Sequence, residues 1–450
     1  MKLKNIIVIL ALFAAFTGCQ KKLDLAPISA VGDNGFYANG DEVELGVIAI
    51  YDGLQALPLR EFALTEMRSD NSKSKSREGD WAQFEGFNVA PTNQAIGQYW
   101  AANYNVIFRA NIVLENLDSV EIPEDRNQFE GEAKFARALA HFNLVRAFGD
   151  VPLLDKVILP TEEEYFDRKS VASVLAFIDT DLTEAAALLP ETNEFGRATS
   201  GAATGLLGKV KLTAGDHPGA KTVLEPLIGG IYTLQSDYND VFYKERNSEL
   251  LFYIPYLDDD ANESQDFSYE MTAFGVRAGL NYITDDFKNK MDINDTIRSL
   301  TNISPNNIRE VGKYLTSSAD TRRCGNDWIV LRYSDVLLMY SEAILGTADS
   351  TADGDAINAY NQVRARAGQS QLIVGTDALT KQALSDERRY ELAFENHRFY
   401  DLVRFGYANS VLSAFATSVN YAFEPTDLLL PIPQAEINVS AGKLIQNPGY

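Results

Sequence analysis

Cysteine is almost absent from this chain, with only Cys19 and Cys324 among 450 residues. If Cys19 is engaged elsewhere, Cys324 has no partner, which excludes a disulfide framework and leaves the fold to rest on packing. Cys324 reads as a small apolar group rather than a catalytic thiol. Histidine is as scarce, at His141, His217 and His397, placed in a packed helix, an interhelix turn and a charged helix, where structural roles are expected. The chain has no His-x-x-x-His, no Gly-x-Ser-x-Gly, no Walker-type phosphate loop and no Cys-x-x-Cys, so no enzymatic chemistry, metal or cofactor is expected. Positive charge is in deficit, 40 basic against 63 acidic residues, a formal −23. With no Lys/Arg-rich run after Lys21-Lys22, nucleic acid is excluded as a partner.

Long apolar runs are missing too. Lys2 and Lys4 precede the apolar segment Ile6 to Phe16, too short to span a bilayer and typical of a secretory signal over residues 1–18. Phe16-Thr17-Gly18-Cys19 resembles a bacterial lipoprotein cleavage site, which would make Cys19 the lipidated first residue of the mature chain; an ordinary signal peptide with a chance Cys is the alternative. Loss of Lys2 and Lys4 leaves 38 basic against 63 acidic residues, a formal charge of −25. Residues 19–35 read as a lipidated tether.

What is present is helix. Gly131 to Leu154 carries apolar residues on two faces, Phe135, Ala138, Leu139, Phe142 and Val145 on one, Ala136, Ala140, Leu144 and Ala147 on the other. A helix with two buried faces sits between neighbours, and Gly149 and Pro152 end it. Lys134, Arg137 and His141 share the remaining face, with Glu130 one turn before Lys134 as its partner. Asp41 to Leu54, capped by Asp41 or Asn39, Trp100 to Leu117, and Val171 to Leu189 also read as helices. In Ala202 to Ile228, Leu207-Gly208, Ala220 and Leu224 fall at tetratricopeptide spacings around the turn Gly215-Asp216-His217-Pro218, and Arg332 to Gly368 predicts a second hairpin. The expected class is all-α, a tetratricopeptide-like array of helical hairpins with an inserted loop-rich lobe containing short strands. One domain is expected over 36–450: repeats at about 41–230 and 332–406, the inserted lobe at about 231–328, and a C-terminal segment at 407–450. Ala63 to Gly97 reads as a long irregular stretch, and Asp386 to Phe405 as one charged helix.

Several strings together carry a resemblance: the lipoprotein-like start, Trp100 with Arg109-Ala110-Asn111, FARALAHFNLVRAFGDVPLL, RYSDVLLMYSEA, NQVRARAG, DERRYELAFENHRFYDLVRFG, LLPIP and the terminal QNPGY. In this order the chain resembles the SusD/RagB family of Bacteroidetes outer-membrane lipoproteins along essentially its whole mature length. The resemblance implies a tetratricopeptide-like fold, a nutrient-binding role, usually for glycan, and a SusC-like TonB-dependent transporter as partner. It places the chain at the outer membrane through a lipid anchor, facing the cell exterior. Gln20-Lys21-Lys22 departs from the acidic residues that follow the lipidated Cys in many members.

Sugar binding needs flat apolar faces for pyranose C–H groups and forked polar side chains for adjacent hydroxyls. The irregular stretch and the inserted lobe are expected to converge into an aromatic platform. Its candidates are Trp81 with Arg68, Asp70 and Asn71; Trp328; Tyr269, Phe274 and Tyr282; and Tyr99 and Asn103, beside a core Trp100. Trp81 is either platform or loop packing, and Trp328 either faces ligand or anchors the helix that follows. The acidic balance favours a neutral ligand such as a glucan, unless Arg60, Arg68 and Arg77 cluster. The row Glu387, Glu391 and Glu395 reads as a structural ion-pair network with Arg388, Arg389, Arg398 and Arg404 within reach. Asp349 to Asp355 imitates a calcium loop but has Tyr360 where a bidentate Glu is required, and Asp258-Asp259-Asp260 reads as a solvated acidic face. A peptide-binding tetratricopeptide scaffold is one rival; a secreted glycoside hydrolase, which needs two carboxyls facing across a cleft, is another.

Overall fold

The computed structural model describes residues 36–159, 161–272, 279–291, 294–320 and 322–450. The signal segment, the tether with Cys19 and Gln20-Lys21-Lys22, and Phe274 lie outside the described residues. The chain is mainly helical, and the helices stack in sequence order. Helix α1 (Gly40–Gln55) starts where the Asn39 side chain accepts from the Glu42 N–H at 3.1 Å. Helix α2 (Pro58–Leu64) leads into the segment expected to be irregular, which holds strand β1 (Ser72–Lys73) and α3 (Gly79–Glu85). Helix α4 (Gln94–Glu115) begins six residues before Trp100 because Asn93 caps it, accepting from Ala95 N–H at 2.9 Å. Then come α5 (Pro123–Phe148), α6 (Val171–Leu188), α7 (Ser200–Thr213) and α8 (His217–Leu224), each packed on the one before.

Helix α5 has the two buried faces that its pattern predicts, because α4 covers one side and α6 the other. Arg137 and His141 on its polar face are buried as well, and Lys134 is half-buried. Arg137 forks onto Asp181 of α6 with two bonds of 2.8 Å and reaches Asn111 of α4 at 2.8 Å, while Lys134 pairs with Glu130 and Glu184. At Gly208 of α7 a Cβ would collide with Leu224 of α8, so the Leu-Gly pair lets the two helices close. The second hairpin, α13 (Tyr333–Leu345) and α14 (Gly354–Arg366), docks on α8. In its loop Asp353 caps α14, accepting from Asp355 N–H at 2.9 Å.

Between the two hairpins run short elements: α9 (Asp240–Tyr243), β4 (Leu250–Ile254), α10 (Phe267–Glu270), β5 (Tyr282–Ile283), α11 (Asp285–Lys290), α12 (Thr296–Asn302) and β6 (Trp328–Arg332). Antiparallel pairing of β4 with β6 brings the two ends of this excursion together, and β1 pairs antiparallel with β5, which ties the early segment to it. The other paired strands are short ribbons: β2 (Val151–Pro152) with β3 (Arg168–Lys169), and β7 (Ser350–Thr351) with β8 (Leu379–Thr380).

The charged stretch is not one helix. It divides into α15 (Lys381–Glu391) and α16 (Arg398–Arg404), with Phe394 and Asn396 at positive φ between them, and α17 (Ala408–Ser418) and α18 (Gln434–Val439) follow. The carboxylate row is an ion-pair network, but with partners from distant segments. Glu391 and Glu395 receive Arg332 of β6 at 2.6 and 2.7 Å, Lys313 reaches Glu395 at 2.6 Å, and Glu387 pairs with Arg298 of α12 at 2.6 Å and Arg364 of α14 at 3.0 Å. Burial works against the charge of Glu391, and Arg366, Arg332 and Arg298 overcome it, holding its pKa well below the usual carboxylate range. The nearby arginines expected to serve this row go elsewhere: Arg388 to Asp335 and Asp401, Arg404 to Glu342, Arg389 and Arg398 to Asp70.

The buried titrating groups set opposed pH slopes. Burial pushes His141 and His397 down to about 3 from 6.5, so across that window only the unfolded chain takes up their protons and acid destabilises. Burial pushes Glu66, Glu270 and Asp327 up to about 7, so from there down to the ordinary carboxylate range the folded chain protonates first and acid stabilises. Below about pH 4.5 the second effect is spent. Asp70, which burial would raise but which Arg389 and Arg398 hold down to about 2, then adds to the loss. Urea midpoints are expected to stay level from about pH 7 to 5 and to fall steeply from about 4.5 to 3. A fall that begins near pH 6.5 would show the histidines acting unopposed.

Candidate functional site

Most of the polar residues nominated from sequence are buried, and a buried contact is already spent. Arg68 is 1% exposed; its guanidinium lies 4.1 Å over the Phe399 ring and donates to the Asp427 carbonyl at 2.7 Å. Asp70 accepts from Arg398 at 2.8 and 3.0 Å, and Asn71 accepts from Arg389 at 2.9 Å. These three residues therefore clamp the early segment to α15 and α16 and present no surface to a ligand. Tyr99 donates to Glu61 at 3.2 Å, and Asn103 donates to the Tyr99 carbonyl at 2.8 Å; both lie in the core beside Trp100. Helix α4 turns that side inward because α2 and α5 cover it.

Trp328 is also core. It is 2% exposed, stacks on Tyr314 with centroids 5.5 Å apart and meets the edge of Phe267 at 5.3 Å. Tyr282 is buried in β5, where it opposes Lys73. Arg60, Arg68 and Arg77 go to separate partners, Gln98, Phe399 and Tyr421, and form no common basic patch.

The expected convergence of the early segment and the intervening one does occur, through the backbone. Lys75 N–H donates to Gly279 O at 2.8 Å, Thr284 N–H to Asn71 O at 2.9 Å, and the Asn281 amide to Phe62 O at 2.7 Å. Two nominated aromatics stay partly exposed at this junction, Trp81 and Tyr269. Trp81 is held at 5.8 Å from Phe62 and 5.7 Å from Phe84, and Phe62 stacks at 6.1 Å on Phe267 of α10, two residues before Tyr269. Arg322 lies 4.6 Å over the Tyr269 ring and fixes it.

Polar groups gather on this rim. Glu270, 8% exposed, is pushed up to about 7 by burial and by Asp266, with Arg322 and Lys75 opposing. Its Oε2 has no hydrogen-bond partner. That oxygen is buried, so the groups open to a ligand are the partly exposed Tyr269 ring and the exposed side chains of Arg322 and Lys75, which offer stacking together with hydroxyl recognition. Glu270, Arg322 and Lys75 were not picked out from sequence because nothing local marks them; only the cross-pairing of 72–75 with 279–283 and the bridge between Gln265 and Cys324 bring them together.

A separate cleft of about 360 Å³ opens between α9 and residues 315–317 and 325–327, with Tyr243, Glu245, Asn326 and Asp327 on its walls.

Comparison with known proteins gives consistent matches. A sequence model described as the SusD family matches residues 287–450, and one described as starch-binding and associating with the outer membrane matches residues 44–212. A SusD-like protein of Formosa agariphila, P25, is 26% identical over 98% of this chain and 97% of its own. A solved laminarin-binding SusD-like protein is 26% identical, with a TM-score of 0.77 over 92% of this chain and all of that one. A SusD homologue from Bacteroides thetaiotaomicron shares the fold at a TM-score of 0.80 and 22% identity, over 92% of this chain and 98% of its own.

Proposed function

The chain belongs to the SusD/RagB family as a SusD-like protein, and from that premise we propose that it captures a neutral glycan at the outer membrane and passes it to a TonB-dependent transporter, without chemistry of its own. The observation that carries this is the match, over 92% of this chain, to a laminarin-binding relative at 26% identity. The outer-membrane association in the description of the family matched by residues 44–212 supports the location. The lipoprotein-like Cys19 supports a lipid anchor, with the folded part facing the cell exterior.

In this proposal the ligand contacts are Trp81 and Tyr269, whose rings receive the C–H faces of sugar residues, with the exposed Arg322 and Lys75 taking hydroxyls. The acidic charge of the chain, −23, favours a neutral polymer over a uronate or a sulfated one. Calorimetry against laminarin, starch, alginate and a sulfated polysaccharide tests it: a neutral glucan is expected to bind and the acidic polymers are not. The Trp81→Ala and Tyr269→Ala variants are each expected to weaken that binding about five- to tenfold, on the order of 1 kcal/mol, while staying folded. A panel on which every glycan is blank would sink the proposal.

A further inference from the structure

The cleft beside α9 lies outside the rim and has its own fittings. Tyr243 is 41% exposed, yet its hydroxyl is fully used: it donates to the Gly312 carbonyl and accepts from Leu315 N–H at 3.0 Å. The ring is therefore a fixed apolar wall, and stacking on it loses little side-chain freedom. Opposite, Asp327 has one carboxylate oxygen tied to Tyr256 N–H at 3.2 Å; among the described residues no donor reaches the other. Asn326 is braced on both sides, accepting from the Ser268 hydroxyl at 3.1 Å and donating to Leu315 O at 3.2 Å, and Ser317 adds an exposed hydroxyl. Ser268 precedes Tyr269 on α10, so this helix stands between cleft and rim.

We infer that this cleft is a second carbohydrate-binding site, in which a neutral sugar residue stacks on Tyr243 and shares adjacent hydroxyls between Asp327 and Asn326. The chemistry of the walls selects that class. Glu245, Asp258 and Asp327 outnumber Lys244 there, which opposes anionic ligands. Among the described residues no three His, Cys, Asp or Glu side chains come together as metal ligands, so the carboxylates do not assemble a cation site. One braced carboxylate, an amide, a hydroxyl and a locked ring match a polyol with an apolar face. The volume of about 360 Å³ suits a short end or branch of a chain. Two sites on one molecule would let it hold a polymer at both, raising avidity above either site alone.

The inference rests on the glycan-capture proposal, and its test separates the two. Calorimetry of the full chain with β-1,3- and α-1,4-linked gluco-oligosaccharides is expected to give two binding events. In the double variant Trp81→Ala/Tyr269→Ala one event is expected to persist. Adding Asp327→Asn, or Tyr243→Leu, to that background is expected to weaken it at least fivefold, and Tyr243→Phe, which keeps the ring but frees it from Gly312 and Leu315, to weaken it by less than Tyr243→Leu. Thermal midpoints of each variant check that the fold is intact, and Asp327→Asn, nearly isosteric, guards against Tyr243→Leu failing to fold. If the residual binding is indifferent to Asp327→Asn in a folded protein, or if the rim variant alone abolishes all binding, the second site is overturned and the rim proposal stands. If the wild-type chain binds no oligosaccharide, both are overturned.

Discussion

Replacing Arg332 with Met is expected to leave the chain unable to fold at ordinary temperature, or to cost about 3–5 kcal/mol where it still folds. Arg332 is 1% exposed and holds Glu249 at 2.8 Å, Glu391 at 2.6 Å and Glu395 at 2.7 Å, while also donating to the Glu391 carbonyl at 2.6 Å. Met fills similar space but leaves three carboxylates short of a cation in a place where water cannot replace it. Arg366 and Lys313 remain on Glu391 and Glu395, and they were already part of the balance. A loss of that size is a large part of the 5–15 kcal/mol that typically separates folded from unfolded states. Urea denaturation of the purified variant measures it. A change under about 1 kcal/mol would mean that the network rearranges around the gap.

Trp328→Ala is expected to act on stability and not on ligand affinity. The sequence leaves this residue open between facing a ligand and anchoring the helix that follows, and the structure decides for the anchor. The indole starts β6, stacks on Tyr314 and abuts Phe267, with 2% of its surface exposed. Truncation would open a cavity at the base of the β4–β6 ribbon and cost about 3–5 kcal/mol. Trp81→Ala, by contrast, removes a ring only partly packed and should cost much less stability. Thermal denaturation and glycan calorimetry on both variants distinguish the two tryptophans. A fully stable Trp328→Ala that loses glycan binding would reverse the assignment.

The helical array was legible because its signals are local. The apolar periodicity of α5, the Leu-Gly pair of α7 and the Pro and Gly stops are each set within one helix turn or one hairpin, and the ordered strings pointed to the family. The clamp of Arg68, Asp70 and Asn71 was not legible, since its partners Phe399, Arg398 and Arg389 lie more than 300 positions away. A buried ion pair and an exposed binding residue use the same amino acids; only their surroundings differ.

The same physics separates what the sequence by itself determined from what tertiary structure decided. Period and punctuation determined the all-α class, the hairpins and the two buried faces of α5, because a helix buries its stripe wherever it stands. The single long helix expected over Asp386 to Phe405 gave way to two, because the backbone turns into positive φ at Phe394 and Asn396 between them, where no helix can continue. Which aromatics are free to meet a ligand was decided only by packing. Trp328 and Tyr99 found neighbours on every side, while Trp81, Tyr269 and Tyr243 kept part of a face open. That choice depends on elements brought together by β1–β5 and β4–β6 pairing, and no stretch of sequence contains both sides of those contacts.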